Sequence, residues 1–296
     1  MMGILSDAQR AEFEENGYVV AKGVATAAQL QAMSVQLDTW IEESRAHQAN
    51  YGHETVDGKA RFDLEDGHTA AAPRLRRVGN PVDVSETFRE VLFDSAVPDV
   101  VAELIGPDVK FHHCKLNIKL PGMATRVEYH QDHAYDPHTN DDMVTALLLL
   151  DNMNEANGCL RVVPGSHRTY YSHYQGGRFT GQIDPVLFDE FQIRSVPIEG
   201  KAGDLCVMST WSAHGGGPNL SDRPRRLLIC DYNAAHAFPL TTPKMPSPYH
   251  GRVVRGKDTR VARFRGGTVE MPQAYEDDSF FGLQGQKAAG EPARGA

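Results

Sequence analysis

Lys115-Leu116-Asn117-Ile118-Lys119-Leu120 alternates polar and apolar residues without a break. A strand turns successive side chains to opposite faces, so Lys115, Asn117 and Lys119 share one face and the apolar residues the other. Such a polar stripe lines a ligand cavity or faces water, and the residues alone leave both open. The stretch belongs to a series of short runs with turn signals between them, at 110–120, 126–130, 144–150, 160–163, 192–198, 205–209 and 225–232. Strands this short and this regular predict a mainly β architecture, a double-sheet jelly roll or barrel with its core at about 108–235.

Helices precede that core. Ser6-Asp7-Ala8-Gln9 has the form of a capping box, and the helix it opens is expected to stop at Gly17. Tyr18-Val19-Val20 reads as a short strand, and 27–44 as an amphipathic helix with Leu30, Met33, Leu37 and Ile41 on one face. Residues 45–82 are polar, His-rich and punctuated by Gly, which predicts a long functional loop. Residues 85–105 read as helical with an interruption near Pro98. The N-terminal helices are expected to pack on one sheet of a single domain spanning 1–283. The Gly/Ala/Lys/Glu-rich tail, 284–296, has nothing to bury and is expected to be disordered.

Bulk properties exclude several classes. A net charge of −9 argues against a general nucleic-acid or anionic-membrane surface, where clustered Lys and Arg are required. No apolar run approaches membrane-spanning length, and no signal-peptide pattern opens the chain. Cys114, Cys159, Cys206 and Cys230 are scattered, with no CxxC pair, and read as buried reduced thiols. These features predict a soluble cytoplasmic protein. Oligomeric state is not encoded in them.

The chemistry concentrates at Tyr129-His130-Gln131-Asp132-His133 and, far downstream, at Trp211-Ser212-Ala213-His214-Gly215-Gly216-Gly217. Residues i and i+2 of a strand point to one face, so His130 and Asp132 can ligate one ion, with His214 as a third ligand. Two imidazoles and one carboxylate form the facial triad of non-haem Fe(II) oxygenases, which leaves positions open for substrate and O₂. An HxD tripeptide is also compatible with a hydrogen-bonded core histidine, and His214 with an ordinary loop position. His133 and His138 read as pocket or surface residues, and Trp211 as core beside the site.

Arg225 follows His214 by eleven positions and opens the apolar strand Arg225-Arg226-Leu227-Leu228-Ile229-Cys230. A guanidinium at the mouth of a β-core suits bidentate capture of a carboxylate, or else pairs with Asp222 or Asp231. Arg226 is expected to point the opposite way.

Together these segments resemble the phytanoyl-CoA dioxygenase family of Fe(II)/2-oxoglutarate oxygenases, which includes ectoine hydroxylases. The resemblance spans about 5–234. It rests on Phe13-Glu14-Glu15-Asn16-Gly17-Tyr18-Val19-Val20, His130-Gln131-Asp132, and the specific block Asn157-Gly158-Cys159-Leu160-Arg161-Val162-Val163-Pro164-Gly165-Ser166-His167. His214-Gly215-Gly216-Gly217-Pro218-Asn219 and Arg225 complete it. The resemblance implies a double-stranded β-helix (jelly roll, cupin-like), with Fe(II) on His130, Asp132 and His214. It further implies 2-oxoglutarate and O₂ as cosubstrates, with Arg225 on the distal carboxylate of 2-oxoglutarate and Asn117 and Thr145 in contact with it. Related halogenases replace the carboxylate ligand by Ala or Gly; Asp132 is retained, which favours hydroxylation.

The implied reaction hydroxylates an unactivated C–H bond of a small metabolite with release of succinate and CO₂. Desaturation, cyclisation or demethylation on the same scaffold is the alternative, followed by a non-catalytic jelly-roll binding protein and a zinc hydrolase. Substrate choice is expected from 45–82, from 134–138 and from 170–183. Tyr135, His138, Arg126 and Arg76 are the candidate substrate contacts.

Overall fold

A computed structural model describes residues 3–54, 58–121, 126–243, 245–267 and 270–271. The expected disordered tail, 284–296, lies outside the described residues.

The chain opens with helix α1 (Asp7–Asn16), strand β1 (Tyr18–Ala21) and helix α2 (Ala27–Ser44). The Ser6 hydroxyl accepts from Gln9 N while the Gln9 side chain accepts from Ser6 N, so the expected capping box is formed. Gly17 ends α1 in the left-handed region, at φ 81°. Thr26 and Gln29 repeat the same box at α2.

Residues 45–82 are not the expected loop. They hold β2 (Tyr51–Glu54), β3 (Ala60–Leu64) and β4 (Leu75–Gly79), which extend the larger sheet. These strands are four or five residues long, with Gly52 and Gly79 inside them, so no alternation builds up along the sequence.

Next come α3 (Glu86–Arg89), a π-helical turn over Glu90–Asp94 and α4 (Ala96–Ile105). The break falls at Ser95, whose hydroxyl accepts from Val97 N at 3.1 Å and caps α4. Pro98 sits in the first turn of α4, where its missing N–H has no helical partner to lose, so it does not interrupt the helix.

The remaining strands are β5 (Val109–Lys119), β6 (Val127–His130), β7 (Met143–Leu149), β8 (Leu160–Val162), β9 (Tyr174–Gln175) and β10 (Arg178–Phe179). After helix α5 (Phe188–Arg194) follow β11 (Val196–Pro197), β12 (Leu205–Ser209), β13 (His214–Gly216), β14 (Arg225–Ala234) and β15 (Val253–Arg255). The expected strand at 192–198 is therefore split: 192–194 close α5, and only Val196–Pro197 pair as β11. Asp184 accepts from Val186 N at 3.0 Å and Pro185 opens the turn that leads into α5, a helix-start signal that outweighs the short alternation of Phe191 and Ile193.

The major sheet runs β1-β12-β7-β14-β5-β4-β3-β2, with β15 added on β5; the minor sheet runs β11-β8-β13-β6. Every pairing is antiparallel. Alternation then divides each long strand between two layers. Leu116, Leu228, Cys230, Ala146, Leu148 and Val207 join the helical residues Leu37, Trp40, Phe88 and Val100 in one apolar core. Leu147, Cys206, Met208 and Leu227 face the other way and meet Cys159, Val162 and Ile198 of the minor-sheet side. The helices thus cover the outer face of the major sheet, as expected, and the inner face is left to enclose a cavity.

Candidate metal centre and cosubstrate cavity

His130 ends β6 and His214 opens β13, and the two residues are direct cross-strand partners. Close approach of the strands depends on Gly215, where an added Cβ would sit 2.8 Å from Val127 O. A 3-10 turn, Asp132–Ala134, leaves the end of β6 at once and carries Asp132 back toward both histidines. Ligand atoms of His130, Asp132 and His214 all lie within 4.8 Å of one another. The Asp132 Oδ1 atom is 3.5 Å from His130 Nε2 and 3.8 Å from His214 Nε2.

Hydrogen bonding fixes which atoms face the centre. His130 Nδ1 donates to Glu128 O at 2.8 Å and His214 Nδ1 donates to Ser212 O at 3.0 Å. A carbonyl only accepts, so both rings carry their proton on Nδ1 and turn an Nε2 lone pair toward Asp132. Burial and the neighbouring His130 lower His214 to about 4, leaving a neutral imidazole at neutral pH. Burial would raise the Asp132 carboxyl, but His214, His130 and Lys115 hold it well below the usual carboxylate range. Two imidazole Nε2 atoms and one carboxylate oxygen turned toward one another make a ligand set that fits a divalent transition ion.

Asp132 and the histidines form one wall of a cavity that Lys115, Asn117, Thr145 and Arg225 also line. Arg225 and Lys119 are cross-strand partners at one end of it. Arg225 is 7% exposed, makes no ion pair among the described residues, and has a buried Nε without a hydrogen-bond partner. Burial lowers it to about 10, so it stays cationic at neutral pH. Among the described residues neither Asp222 nor Asp231 forms an ion pair with it, and Asp231 Oδ2 faces His113 Nε2 at 3.4 Å. Arg226 points outward as expected and grips Asp151 through Nε at 2.9 Å and Nη2 at 2.6 Å. Burial, reinforced by Arg225, lowers Lys119 to about 7.

The polar stripe of the opening strand faces inward: Lys115, Asn117 and Lys119 all line the cavity, and Asn117 Oδ1 is buried without a partner. Thr145 lines it too, and its hydroxyl donates to Asp132 Oδ2 at 2.8 Å.

The four candidate substrate contacts separate. Arg76 points away from the cavity, pairing with Asp63 at 3.0 Å and Glu65 at 3.6 Å, while its neighbour Arg77 lines the cavity. Arg126 lies over the Phe188 ring at 5.2 Å and is not part of the cavity wall. Tyr135 packs edge-on to His130, with ring centres 6.0 Å apart, and its hydroxyl donates to Gly181 O. His138 is buried against His112, ring centres 5.1 Å apart. His133 stacks on Trp211 at 4.1 Å, away from the triad.

Sequence reasoning missed Gln131, Arg77 and the use of Lys115 and Lys119. Gln131 points away from its two ligand neighbours. Its side chain donates to Thr169 O at 2.8 Å and to Trp211 O, and accepts from Tyr171 N at 2.9 Å. It ties the segment before β9 to the turn before His214. Its extended backbone, between the end of β6 and the 3-10 turn, turns it away from the two ligands. The Asn157–His167 block proves structural: Gly158 has φ 71°, and a Cβ there would lie 2.6 Å from Pro218 O. The block therefore locks onto the segment that follows β13.

The family model for phytanoyl-CoA dioxygenase (PhyH) matches residues 13–227. A probable alpha-ketoglutarate-dependent hypophosphite dioxygenase of Stutzerimonas stutzeri is 32% identical, covering 71% of this chain and 73% of its own. A 2-aminoethylphosphonate dioxygenase of an uncultured bacterium is 27% identical over 78% of this chain and 83% of its own. The crystal structure of EctD from S. alaskensis superimposes with a TM-score of 0.67 at 21% identity, covering 87% of this chain and 89% of that one.

Proposed function

Because the chain belongs to the phytanoyl-CoA dioxygenase family, we propose that His130, Asp132 and His214 hold Fe(II) and that Arg225 receives the distal carboxylate of 2-oxoglutarate. The protein is an Fe(II)- and 2-oxoglutarate-dependent dioxygenase that hydroxylates a small molecule. The observation that carries the site assignment is the shared tautomer of His130 and His214, which turns two Nε2 lone pairs onto Asp132 at the wall of a cavity closed by Arg225.

Bound at the triad, Fe(II) supplies the O₂ chemistry that couples oxidative decarboxylation of 2-oxoglutarate to C–H hydroxylation, releasing succinate and CO₂. The chain's own residues place the reactants. Arg225 and Lys119 fix one end of the cosubstrate, and fixing that end orients the other. Asn117 offers its side-chain amide along the same wall. Thr145 contributes by holding Asp132 in place. Leu147, Leu160, Leu227 and Ile229 supply apolar walls that exclude water.

The substrate class that fits the remaining wall is a small anion. Lys115 adds positive charge near Asp132, and Arg77, opposite Asn117 of β5, adds a second on the same cavity wall. Both curated relatives described above are named for phosphorus oxyanions. The buried cysteines support a reducing compartment, and we assign the cytoplasm on that basis.

A screen of small phosphonates, phosphinates and carboxylates, read as succinate release under Fe(II), ascorbate and 2-oxoglutarate, tests this reading. Stimulation by a member of the panel, with a product heavier by one oxygen, supports it. A product lighter by two hydrogens identifies desaturation instead. Equal succinate release from Asp132→Ala sinks the triad assignment.

A further inference from the structure

Beyond the triad, β5 carries a second cluster of metal-ligating side chains that the oxygenase reading leaves unused. His113 pairs with Asp231 and Phe111 with Tyr232, so β5 has one more residue than β14 at this point. The extra residue is His112. A bulge of this kind sets two residues against one, which re-aims side chains that strict alternation would send to opposite faces. His112 Nδ1 and His113 Nδ1 accordingly meet at 2.7 Å.

Asp136 completes the cluster from the turn that follows Asp132. Ligand atoms of His112, His113 and Asp136 lie within 4.8 Å of one another, and all three residues are buried. His138 adds a fourth acceptor. Its Nδ1 donates to Asp136 O at 2.8 Å, so its Nε2 carries a lone pair, and that atom is buried without a partner. The His112 ring lies beside it, with ring centres 5.1 Å apart. A buried lone pair in the state of His138 Nε2 calls for a ligand.

The chemistry of the set is that of a cation site. Two imidazole nitrogens at 2.7 Å need a proton or a cation between them, and a carboxylate beside them favours the cation. With both Nδ1 atoms used as donors, His113 keeps its proton on Nε2, which faces Asp231 Oδ2 at 3.4 Å. A ligating histidine backed by a carboxylate is the usual outer-shell arrangement of metal sites. Burial holds His113 down to about 3 and His138 to about 4, so neither ring must lose a proton to become a ligand at neutral pH.

We propose that His112, His113 and Asp136, with His138 beside them, form a second metal site that takes a divalent transition ion of the Zn(II) or Co(II) class. Its role is structural. Tyr135 N donates to Asp132 O at 2.9 Å and Asp136 N donates to the same oxygen at 3.3 Å. An ion gripping Asp136 therefore pins the turn that begins at Asp132 onto the bulge of β5.

The test is metal stoichiometry of the full chain, stripped with chelator and titrated anaerobically with Co(II), read by elemental analysis and visible absorption. Wild type is expected to bind two equivalents. His112→Gln and Asp136→Asn each bind one, with affinity at the lost site down at least tenfold. Asp132→Ala loses the other equivalent, and Asp132→Ala combined with Asp136→Asn binds none. Where His112→Gln fails to fold by circular dichroism, the isosteric Asp136→Asn carries the test alone. A single equivalent in wild type that Asp132→Ala abolishes overturns the second site and leaves the triad standing. Two equivalents that persist in Asp136→Asn overturn it as well.

Discussion

The Thr145 hydroxyl donates to Asp132 Oδ2 at 2.8 Å, leaving Oδ1 to face the Nε2 atoms of both His130 and His214. One oxygen of the carboxylate is thus held by the protein and the other is presented to the proposed metal centre. Thr145 reaches it from β7, in the major sheet, whereas both histidines belong to the minor sheet. The centre is therefore assembled across the two sheets.

Thr145→Val keeps the shape of the side chain and removes only the donor. Metal affinity is expected to fall about tenfold to a hundredfold, the usual effect of losing an outer-shell partner. The thermal midpoint of the metal-free protein should move little. Metal titration of the variant against wild type checks this; unchanged affinity removes Thr145 from the centre.

Arg225→Gln should weaken 2-oxoglutarate binding by about 100-fold, roughly 3 kcal/mol, as expected when one partner of a buried charge pair is truncated. Fe(II) binding should persist, because Arg225 touches none of the three ligands. Anaerobic calorimetry with each ligand separately measures both effects.

Lys119 gives the site a pH signature. In the free protein it sits at about 7, and its ordinary value is 10.5. A bound dicarboxylate favours the charged form and raises that value. Below pH 7 the amine is already protonated and affinity for 2-oxoglutarate should be flat. Above pH 7 binding must take up a proton, so affinity falls as pH rises. Calorimetry at pH 8 in buffers of different ionisation enthalpy reads this uptake directly, and Lys119→Gln should abolish it.

Gly158→Ala should destabilise the fold by at least ~1–3 kcal/mol, since it places a side chain in a left-handed conformation and against Pro218 O. Denaturant unfolding measures the loss. A stability within error of wild type contradicts the packing described for the block.

How much of this was legible in the sequence varies with the physics of each part. His130, Asp132, His214 and Arg225 were readable from short motifs and the family resemblance they carry, although a 3-10 turn beginning at Asp132, and not strand alternation, brings Asp132 to the histidines. The Lys115–Lys119 stripe was readable as a face, and only the sheet pairing shows that this face points inward. Arg76 was chosen where Arg77 lines the cavity. Three arginines around Leu75 offer no apolar phase to set the register, and a one-residue slip reverses the face. His112 beside His113 was not readable at all, because the bulge that aligns them exists only through the pairing of β5 with β14. Residues 45–82 hid their strands for the opposite reason: the pairing is real but the strands are too short to show a period.

We propose that the triad and Arg225 together form one Fe(II)/2-oxoglutarate site. Anaerobic calorimetry of 2-oxoglutarate binding, with and without Fe(II), tests it most directly. Tight one-to-one binding is expected with Fe(II), much weaker binding without it, and loss of the metal-dependent part in Asp132→Ala. Binding that is equally tight with and without metal, or unchanged in Asp132→Ala, would contradict it.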